Sequence, residues 1–278
     1  MKILIAGSSS GIGRWLATHY SNKGHEVWGV ARSDQSQFVN EQKANDKHFR
    51  STIADVSKWE TMDALAHEVI RDWNSLDALI CCTGIQAPMG PAMKLSASQW
   101  SESLQINLNG TFNTLLALHE PLLRASKRAK IVCFSGGGST SPRPFFTPYA
   151  VAKAGIVRMV ENLSHEWIGL PIDINALAPG AINTDMTKEV IEAGPLVVGA
   201  TEHRKALEQM QNGGGSLDKV VDAIDFLIGS KSDGITGRLI SGPWDPYDKL
   251  PQLKEQLNKS DIYTLRRIIP QDRGFDWK

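Results

Sequence analysis

The sequence predicts an α/β fold in which a doubly wound parallel sheet carries helices on both faces. Short apolar runs alternate with longer segments of helical periodicity along the 278 residues. Most of these runs are rich in Val, Ile and Leu instead of alternating with polar residues, as is typical of strands buried on both faces. Such alternation favours a parallel sheet whose strands are joined by right-handed crossovers.

Seven apolar runs are predicted as strands, at residues 2–6, 26–31, 49–53, 78–82, 130–135, 172–178 and 238–241. The first is followed by a predicted helix at 12–20. In segment 154–168 the apolar residues recur at steps of three and four, so one helix face is apolar; they are Ile156, Val160, Leu163 and Trp167. Because neither a repeat nor a low-complexity linker interrupts the pattern, we expect one domain at 1–242, with 243–278 as its C-terminal extension.

Charge and composition exclude several classes of function. Thirty basic and thirty acidic residues cancel, so no overall field favours a nucleic-acid or membrane partner. No apolar stretch reaches the length of a transmembrane helix, the N-terminus lacks a signal-peptide core, and we expect a cytoplasmic protein. Cys81, Cys82 and Cys133 lie in strand-like runs and are predicted to be buried thiols; without CxxC or HExxH, no metal site is expected.

A glycine-rich stretch, AGSSSGIG at 6–13, joins the first strand to the first helix. Gly7 would allow the sharp exit from the strand, while Gly11 and Gly13 would let the backbone approach a ligand and let helix pack on strand. The helix N-terminus then offers free N–H groups to a pyrophosphate. The alternative is a glycine-rich turn without a ligand.

The end of the second strand, GVARSD, bears on the choice of dinucleotide. A site for NAD usually places an acidic residue there for the ribose hydroxyls. Arg32 stands there instead, and a guanidinium suits the additional phosphate of NADP. Asp34 lies close by, so NAD remains possible.

A second motif, YAVAK, places Tyr149 and Lys153 four residues apart on one helix face. An unaided phenol titrates near pH 10, too high for a general acid or base at neutrality. A nearby ammonium favours the phenolate and brings the phenol into a useful range.

Together these motifs resemble the short-chain dehydrogenase/reductase family, in its compact oxidoreductase branch. The resemblance extends from residue 2 to about 242. It rests on AGSSSGIG, ADV at 54–56, INLNG at 106–110, YAVAK at 149–153, APGAINTDM at 178–186 and ITGRLIS at 235–241. It implies a Rossmann-type sheet and an NAD(P)-dependent enzyme that interconverts a carbonyl and a secondary alcohol.

The resemblance also implies roles for individual residues. Tyr149 would donate or accept the proton, Lys153 would hold the nicotinamide ribose and lower the tyrosine pKa, and Asn107 would order a water beside Lys153. The implied cofactor-binding residues, besides Tyr149 and Lys153, are Gly7, Ser9, Ser10, Gly11, Ile12, Gly13, Arg32, Asp55, Val56, Cys82, Thr83, Gly84, Pro179, Gly180, Ile182 and Thr184. NADP is the expected cofactor.

Two positions depart from the family pattern. The usual Asn-Asn-Ala-Gly after the fourth strand is replaced by the sequence CCTG at 81–84. The carbonyl-polarising serine normally stands thirteen residues before the tyrosine, where this chain has Gly136. We expect a neighbouring hydroxyl to replace it, Ser135 ahead of Ser139, with a backbone N–H of the glycine run as the alternative.

Segment 243–278 extends beyond the usual end of the fold. A short helix is predicted at 250–258, followed by an extended basic piece around Arg266 and Arg267. The segment is either a surface extension or dimer contact, or a cover on the substrate pocket in which one of these arginines meets an anion. Residues 183–216 are expected to form the variable lid over the pocket.

Three functions remain open on the sequence alone. The favoured one is an NADP-dependent oxidoreductase acting on a small-molecule carbonyl or alcohol. A nucleotide-binding regulatory protein without turnover is favoured by the substitutions at Cys81, Cys82 and Gly136. A sugar-nucleotide epimerase or dehydratase is disfavoured by the glycine spacing. The resemblance further implies a homodimer or homotetramer built partly from the helices at 99–118 and 150–168.

Overall fold

The computed structural model describes residues 1–277 and confirms the parallel sheet. Its strand order is β3-β2-β1-β4-β5-β6-β7, and every neighbouring pair is parallel. The bounds are β1 (Lys2–Ala6), β2 (Glu26–Ala31), β3 (Phe49–Ile53), β4 (Ala78–Cys81), β5 (Ala129–Phe134), β6 (Ile172–Ala178) and β7 (Leu239–Ser241). The predicted strands differ from these by at most one residue at an end. The winding direction reverses between β1 and β4, where sheets of this kind bind ligands.

Helices cover both faces of the sheet. They are α1 (Gly11–Asn22), α2 (Ser36–Ala44), α3 (Trp59–Asp72), α4 (Ala97–Leu104), α5 (Gly110–Leu123), α6 (Thr147–Glu166), α7 (Asp185–Ala193), α8 (Pro195–Val198), α9 (Ala200–Gln211), α10 (Leu217–Ile228) and α11 (Lys254–Asn258). A π-helical turn, Gln105–Asn109, joins α4 to α5. Within residues 1–277 no helix combines the length and the apolar character that crossing a membrane requires.

The hydrophobic core consists of two layers separated by the sheet. Alternate residues of β1 enter opposite layers: Leu4 faces the layer formed with α3, α5 and α6, and Ile5 faces the one formed with α1 and α10. Both residues are fully buried. Strands buried on both faces therefore need apolar residues at consecutive positions. The apolar face predicted for α6 lies in the first layer, with Ile156 and Val160 buried.

Segment 183–216, predicted as the lid, forms α7, α8 and α9 and packs on a third, smaller core. This cluster joins the segment to the residues just before Tyr149; its buried members are Phe146, Val190, Val198 and Ala206. The predicted lid is thus an ordered helical layer beside the carboxyl end of the sheet.

The C-terminal extension packs against the outer edge of the sheet. The helix predicted at 250–258 is shorter than expected, because a 3₁₀ turn over Tyr247–Lys249 precedes it and α11 begins only at Lys254. Leu257 is buried in the α1–α10 layer. The guanidinium of Arg238 donates to the carbonyl oxygens of three residues of the extension, Leu257, Ser260 and Ile262. The backbone N–H of Leu239 donates to the carbonyl of Tyr263, so the extension covers edge strand β7.

A buried ion pair links β5 to β6. Lys130 and Asp173 are paired in register, and their side chains are 2% and 1% exposed. The Lys130 Nζ lies 2.8 Å from Asp173 Oδ2 and 2.7 Å from an oxygen of Asp233, and it donates to Ser232 Oγ. These contacts fix the segment before β7 to the middle of the sheet.

Breaking this pair should destabilise the fold strongly. Asp173→Asn leaves the buried ammonium with one partly exposed carboxylate, and removal of one partner of a buried pair costs about 3–5 kcal/mol. The free energy of unfolding from urea denaturation measures this loss. The matched control is Asp225→Asn, which breaks the exposed pair with Lys23 and should cost less than about 1 kcal/mol. Equal losses in the two variants would contradict the structural role of the buried pair.

Candidate active site

A cleft of about 390 Å³ opens at the carboxyl ends of the central strands. Its walls are the β1–α1 loop, the ends of β2, β4 and β5, the start of α6 and the start of α7. The cleft lies at the reversal point of the strand order, which agrees with the general rule for open α/β sheets.

Most predicted site residues line this cleft. They are Gly7, Ser9, Ser10, Gly11, Ile12, Gly13, Arg32, Asp55, Val56, Cys82, Thr83, Gly84, Ser135, Tyr149, Lys153, Pro179 and Thr184. Three others do not line it: Asn107, Gly180 and Ile182. The sequence analysis missed further lining residues, among them Ile85, Phe134, Asp185, Met186 and Glu189. The last three lie on α7, and a helix that begins directly after Thr184 is the sequence signal that could have indicated them.

The glycine loop has the close packing that its sequence predicts. Gly7 has a φ of +90°, and its N–H donates to the carbonyl of Val30. A Cβ at position 13 would lie 2.1 Å from the carbonyl oxygen of Gly7, so only glycine lets α1 begin this close to β1. Ser10, the N-cap of α1, makes no side-chain capping bond. The first turn of α1 therefore presents backbone N–H groups at the cleft.

Arg32 faces the cleft and Asp34 does not. Arg32 is exposed at the end of β2 and forms no hydrogen bond or ion pair with the part of the chain that the structure describes. The Asp34 carboxylate accepts hydrogen bonds from the backbone N–H and hydroxyl of Ser36, at 2.9 and 2.5 Å. This geometry favours a cation as the group that meets the ligand here.

Asn107 lies behind the cleft wall in the π-helical turn. Its side-chain amide exchanges two 3.0 Å hydrogen bonds with the backbone of Ile85 and donates to the carbonyl of Ser103 at 2.9 Å. A Cβ on Gly84 would lie 2.9 Å from Asn107 Oδ1 and 3.4 Å from Lys153 Nζ. The bare backbone at Gly84 thus lets Asn107 and Lys153 approach from one side.

Lys153 is buried at the bottom of the cleft. Its Nζ donates to the carbonyl of Phe134, the last residue of β5, at 2.9 Å. Burial lowers the pKa of Lys153 to about 8. The side chain is therefore a desolvated cation near neutral pH.

Tyr149 lies one helical turn before Lys153, with the Lys153 Nζ 5.6 Å from its ring centroid. Burial raises the pKa of Tyr149, and the charge of Arg143 opposes that rise. The lowering of this pKa by Lys153, which the resemblance implies, stays a prediction; in this structure the ammonium donates to the Phe134 carbonyl. Arg143 is a second cation beside the phenol, and no family motif marked it in the sequence.

The glycine at the position of the family's serine leaves space for the Tyr149 hydroxyl. A Cβ at position 136 would lie 2.5 Å from the Tyr149 hydroxyl oxygen. Ser135 lines the cleft, and its hydroxyl is buried and has no hydrogen-bond partner in residues 1–277. Ser139 is also buried but does not line the cleft. Thr83 contributes a second unpaired buried hydroxyl to the cleft.

The substituted cysteines are thiols, as the sequence predicted. Cys81 and Cys133 are buried, Cys82 is half-buried in the cleft wall, and all three are free. A hydrogen bond with Cys133, together with burial, raises the pKa of Cys81, and burial raises that of Cys82. Both are therefore protonated near neutral pH.

The C-terminal extension does not cover this cleft. No described residue beyond Glu189 lines it. Arg266 forms 2.7 Å ion pairs with Asp261 and Asp272 of the extension itself. Of the two alternatives that the sequence left open, this position agrees with a surface extension, because the contacts of Arg238 hold the extension at the β7 edge.

Comparison with known proteins agrees with this geometry. The model of the family described as short chain dehydrogenase matches residues 1–194. The 3-oxoacyl-[acyl-carrier-protein] reductase of Haemophilus influenzae is 30% identical over 237 residues, covering 84% of this chain and 93% of the relative. The corresponding reductase of Chlamydia trachomatis is 29% identical over 244 residues, with coverage of 86% and 94%.

The fold is shared with solved members of the same group. A crystal structure of a variant of actinorhodin polyketide ketoreductase with NADPH has a TM-score of 0.77 at 21% identity, covering 86% of this chain and 94% of that one. The chain belongs to the short-chain dehydrogenase/reductase family of NAD(P)H-dependent oxidoreductases.

Proposed function

We propose that this chain is an NADP(H)-dependent enzyme that interconverts a small-molecule carbonyl and its secondary alcohol. The observation that carries the proposal is that one cleft brings together a phenol, a buried ammonium and a glycine loop at a helix N-terminus. General acid–base catalysis needs the first two groups, and a dinucleotide needs the third.

The residues of the cleft fit a nicotinamide dinucleotide. The Gly7–Gly13 loop offers backbone N–H groups to the pyrophosphate, Arg32 offers a cation to a ribose phosphate, and Thr83 Oγ1 is a buried hydroxyl without a partner among residues 1–277. Asp55 and Val56 would contact the adenine. Of residues 179–184, Pro179 and Thr184 line the cleft and would hold the nicotinamide end. The bound dinucleotide supplies the hydride.

The side chains of the protein handle the proton. Tyr149 donates its hydroxyl proton to the carbonyl oxygen during reduction and accepts it back during oxidation. The Lys153 ammonium donates to the Phe134 carbonyl and would also hold the nicotinamide ribose. Its charge favours the phenolate form of Tyr149 once the bound cofactor orients the ammonium. The side-chain amide of Asn107 holds the backbone of Ile85 and thereby the part of the cleft wall that lies beside Lys153. The ordering of a water beside Lys153, which the resemblance implies for Asn107, stays part of the proposal.

A second donor to the carbonyl oxygen is assigned to Ser135. Ser135 lines the cleft and its buried hydroxyl has no partner in the described chain, whereas Ser139 lies outside the lining. An unpaired buried hydroxyl costs free energy unless a ligand satisfies it. This supports Ser135 as the replacement for the family's serine.

Two other functions receive less support. A nucleotide-binding protein without turnover is favoured by Gly136 and the cysteine pair, but Tyr149, Lys153 and Asn107 are present and lie together. A sugar-nucleotide epimerase or dehydratase is disfavoured by the glycine spacing at 7–13.

A homodimer or homotetramer is part of the proposal. Helices α5 and α6 carry exposed apolar side chains; these are Phe112, Leu116, Leu123 and Val151. Apolar side chains repeated along two neighbouring helices are suited to a contact between copies of the chain.

Arg32→Ala should weaken NADPH binding selectively. The variant loses a charge-assisted contact worth about 1.5–3 kcal/mol, which corresponds to about 10- to 150-fold in dissociation constant. Titration of protein fluorescence with NADPH and NADH measures both affinities. NADH binding should be unchanged, and the control Arg71→Ala, an exposed arginine on α3, should alter neither. Equal NADPH affinity in wild type and Arg32→Ala would contradict the phosphate contact.

Tyr149→Phe tests the proposed function directly. The ring and its packing remain, but the transferable proton is lost, so kcat should fall by about 10²- to 10⁴-fold. Turnover is measured with NADPH and a panel of carbonyls that includes 3-oxoacyl thioesters and keto-sugars. NADPH affinity should be retained. Undiminished turnover in Tyr149→Phe would place the acid–base chemistry elsewhere.

Ser135→Ala and Ser139→Ala distinguish the two hydroxyls. Loss of one donor to a developing oxyanion costs about 10²- to 10³-fold in kcat, and we expect this loss for Ser135→Ala only. Steady-state kinetics on the same substrate measures both. If only Ser139→Ala is impaired, the assignment is reversed; if neither is, a backbone N–H of residues 136–138 is the donor.

A further inference from the structure

Arg143 occupies a special place beside Tyr149. It lies between Pro142 and Pro144 in the loop that leads from β5 to α6. Its guanidinium carbon is 5.8 Å from the Tyr149 ring centroid and 3.8 Å from that of Phe146. The phenol ring thus has one cation in the loop before it and another, Lys153, one turn later on its helix.

The glycine run gives Arg143 the room to lie there. A Cβ on Gly138 would lie 3.3 Å from the Arg143 Cβ and 2.6 Å from that of Ala150, and Gly138 has a φ of +96°. A Cβ on Gly137 would contact the Arg143 side chain at 3.7 Å. The same run that lacks the family's serine therefore lets an arginine side chain lie close to the tyrosine.

Arg143 is also bonded to α9, in the segment predicted as the lid. Its Nε donates to Glu202 Oε2 on α9 at 3.1 Å. The two side chains are 19% and 21% exposed, and the other carboxylate oxygen of Glu202, Oε1, accepts from Lys205 Nζ on the same helix at 3.0 Å. The third core beneath it, which includes Phe146 and Val198, holds α8 and α9 to the same loop. One side chain therefore contacts both the acid–base residue and the predicted lid.

We propose that Arg143 is a positioning residue that couples helix α9, through Glu202, to the protonation of Tyr149. The inference rests on the proposed acid–base role of Tyr149. When α9 holds Glu202 against the guanidinium, part of the Arg143 charge is neutralised. When that contact is released, the full charge acts on the phenol and favours the phenolate.

The charged groups that face Tyr149 define whether each substitution raises or lowers its pKa. Lys153 stands on the same helix as Tyr149 and Arg143 on the preceding loop, while Glu202 lies behind Arg143 on α9 and is shared with Lys205 of that helix. Asp185 and Glu189 of α7 line the same cleft. Removing Arg143 raises the pKa of Tyr149, whereas removing the Glu202 charge lowers it. A loss of packing alone would move both variants in one direction.

The test is a titration that needs no substrate. Protein labelled with ¹³C at the tyrosine Cζ has four tyrosines, and the Tyr149 signal is the one missing from Tyr149→Phe. We expect its midpoint to move up by about one pH unit in Arg143→Gln, to move down in Glu202→Gln and to stay near wild type in Arg143→Lys. The control Arg204→Gln removes an exposed arginine of α9 that pairs with Glu208 and should change nothing.

Kinetics then separates this inference from the proposed function. The alkaline limb of the pH profile of kcat should shift in the same order among the variants. KM should rise in Glu202→Gln because α9 is released from Arg143. An unchanged midpoint in Arg143→Gln, or equal shifts in Arg143→Gln and Glu202→Gln, would overturn the coupling. Full turnover in Tyr149→Phe would instead remove the proposed function, whatever the arginine variants show.

Discussion

The hydrogen bond from the Lys153 ammonium to the carbonyl of Phe134 is the contact on which the rest of the site depends. It joins helix α6 to the end of β5 at the bottom of the cleft. A buried ammonium is costly unless it is bonded, so this contact fixes the rotation of α6 and with it the position of Tyr149 one turn earlier. The bare backbone at Gly84 and the clamp of Asn107 on Ile85 complete the surroundings of that ammonium.

The departure at Gly136 follows from the same arrangement. The Tyr149 hydroxyl lies where a Cβ of residue 136 would stand, so the phenol and a side chain at that position compete for one space. The glycine run that resolves this competition also makes room for Arg143 next to the phenol. The role of second donor, which Gly136 cannot fill with a side chain, is proposed for the neighbouring Ser135.

Much of the fold could be predicted because each part has a local cause. Strands buried on both faces need apolar residues at consecutive positions. Residues 3–5 of β1 show this, because neighbouring residues enter opposite core layers. Such a run of apolar residues therefore has sharp ends in the sequence. The cleft could be predicted from the motifs AGSSSGIG and YAVAK, because the ends of parallel strands must meet at one edge of the sheet. The extension could not be placed in this way, since its position depends on contacts of Arg238 with distant carbonyls that leave no periodic signal.

Arg143 illustrates the same limit within the site. Nothing in the sequence around residue 143 marks it, because its role arises from where the loop crosses Tyr149 and from a carboxylate 59 residues later on α9. Likewise, the sequence could not decide between Ser135 and Ser139, because the choice depends on which side chain the end of β5 turns into the cleft.

Transfer of deuterium is the most direct measurement of whether this cleft performs the reaction. NADPH deuterated at both C4 positions of the dihydronicotinamide is incubated with the wild-type protein and the carbonyl that supports the fastest cofactor oxidation, and the product is analysed by mass spectrometry. The expected result is a secondary alcohol that carries one deuterium on the former carbonyl carbon. An unlabelled alcohol, or cofactor that binds without any carbonyl in the panel being reduced, would contradict the account.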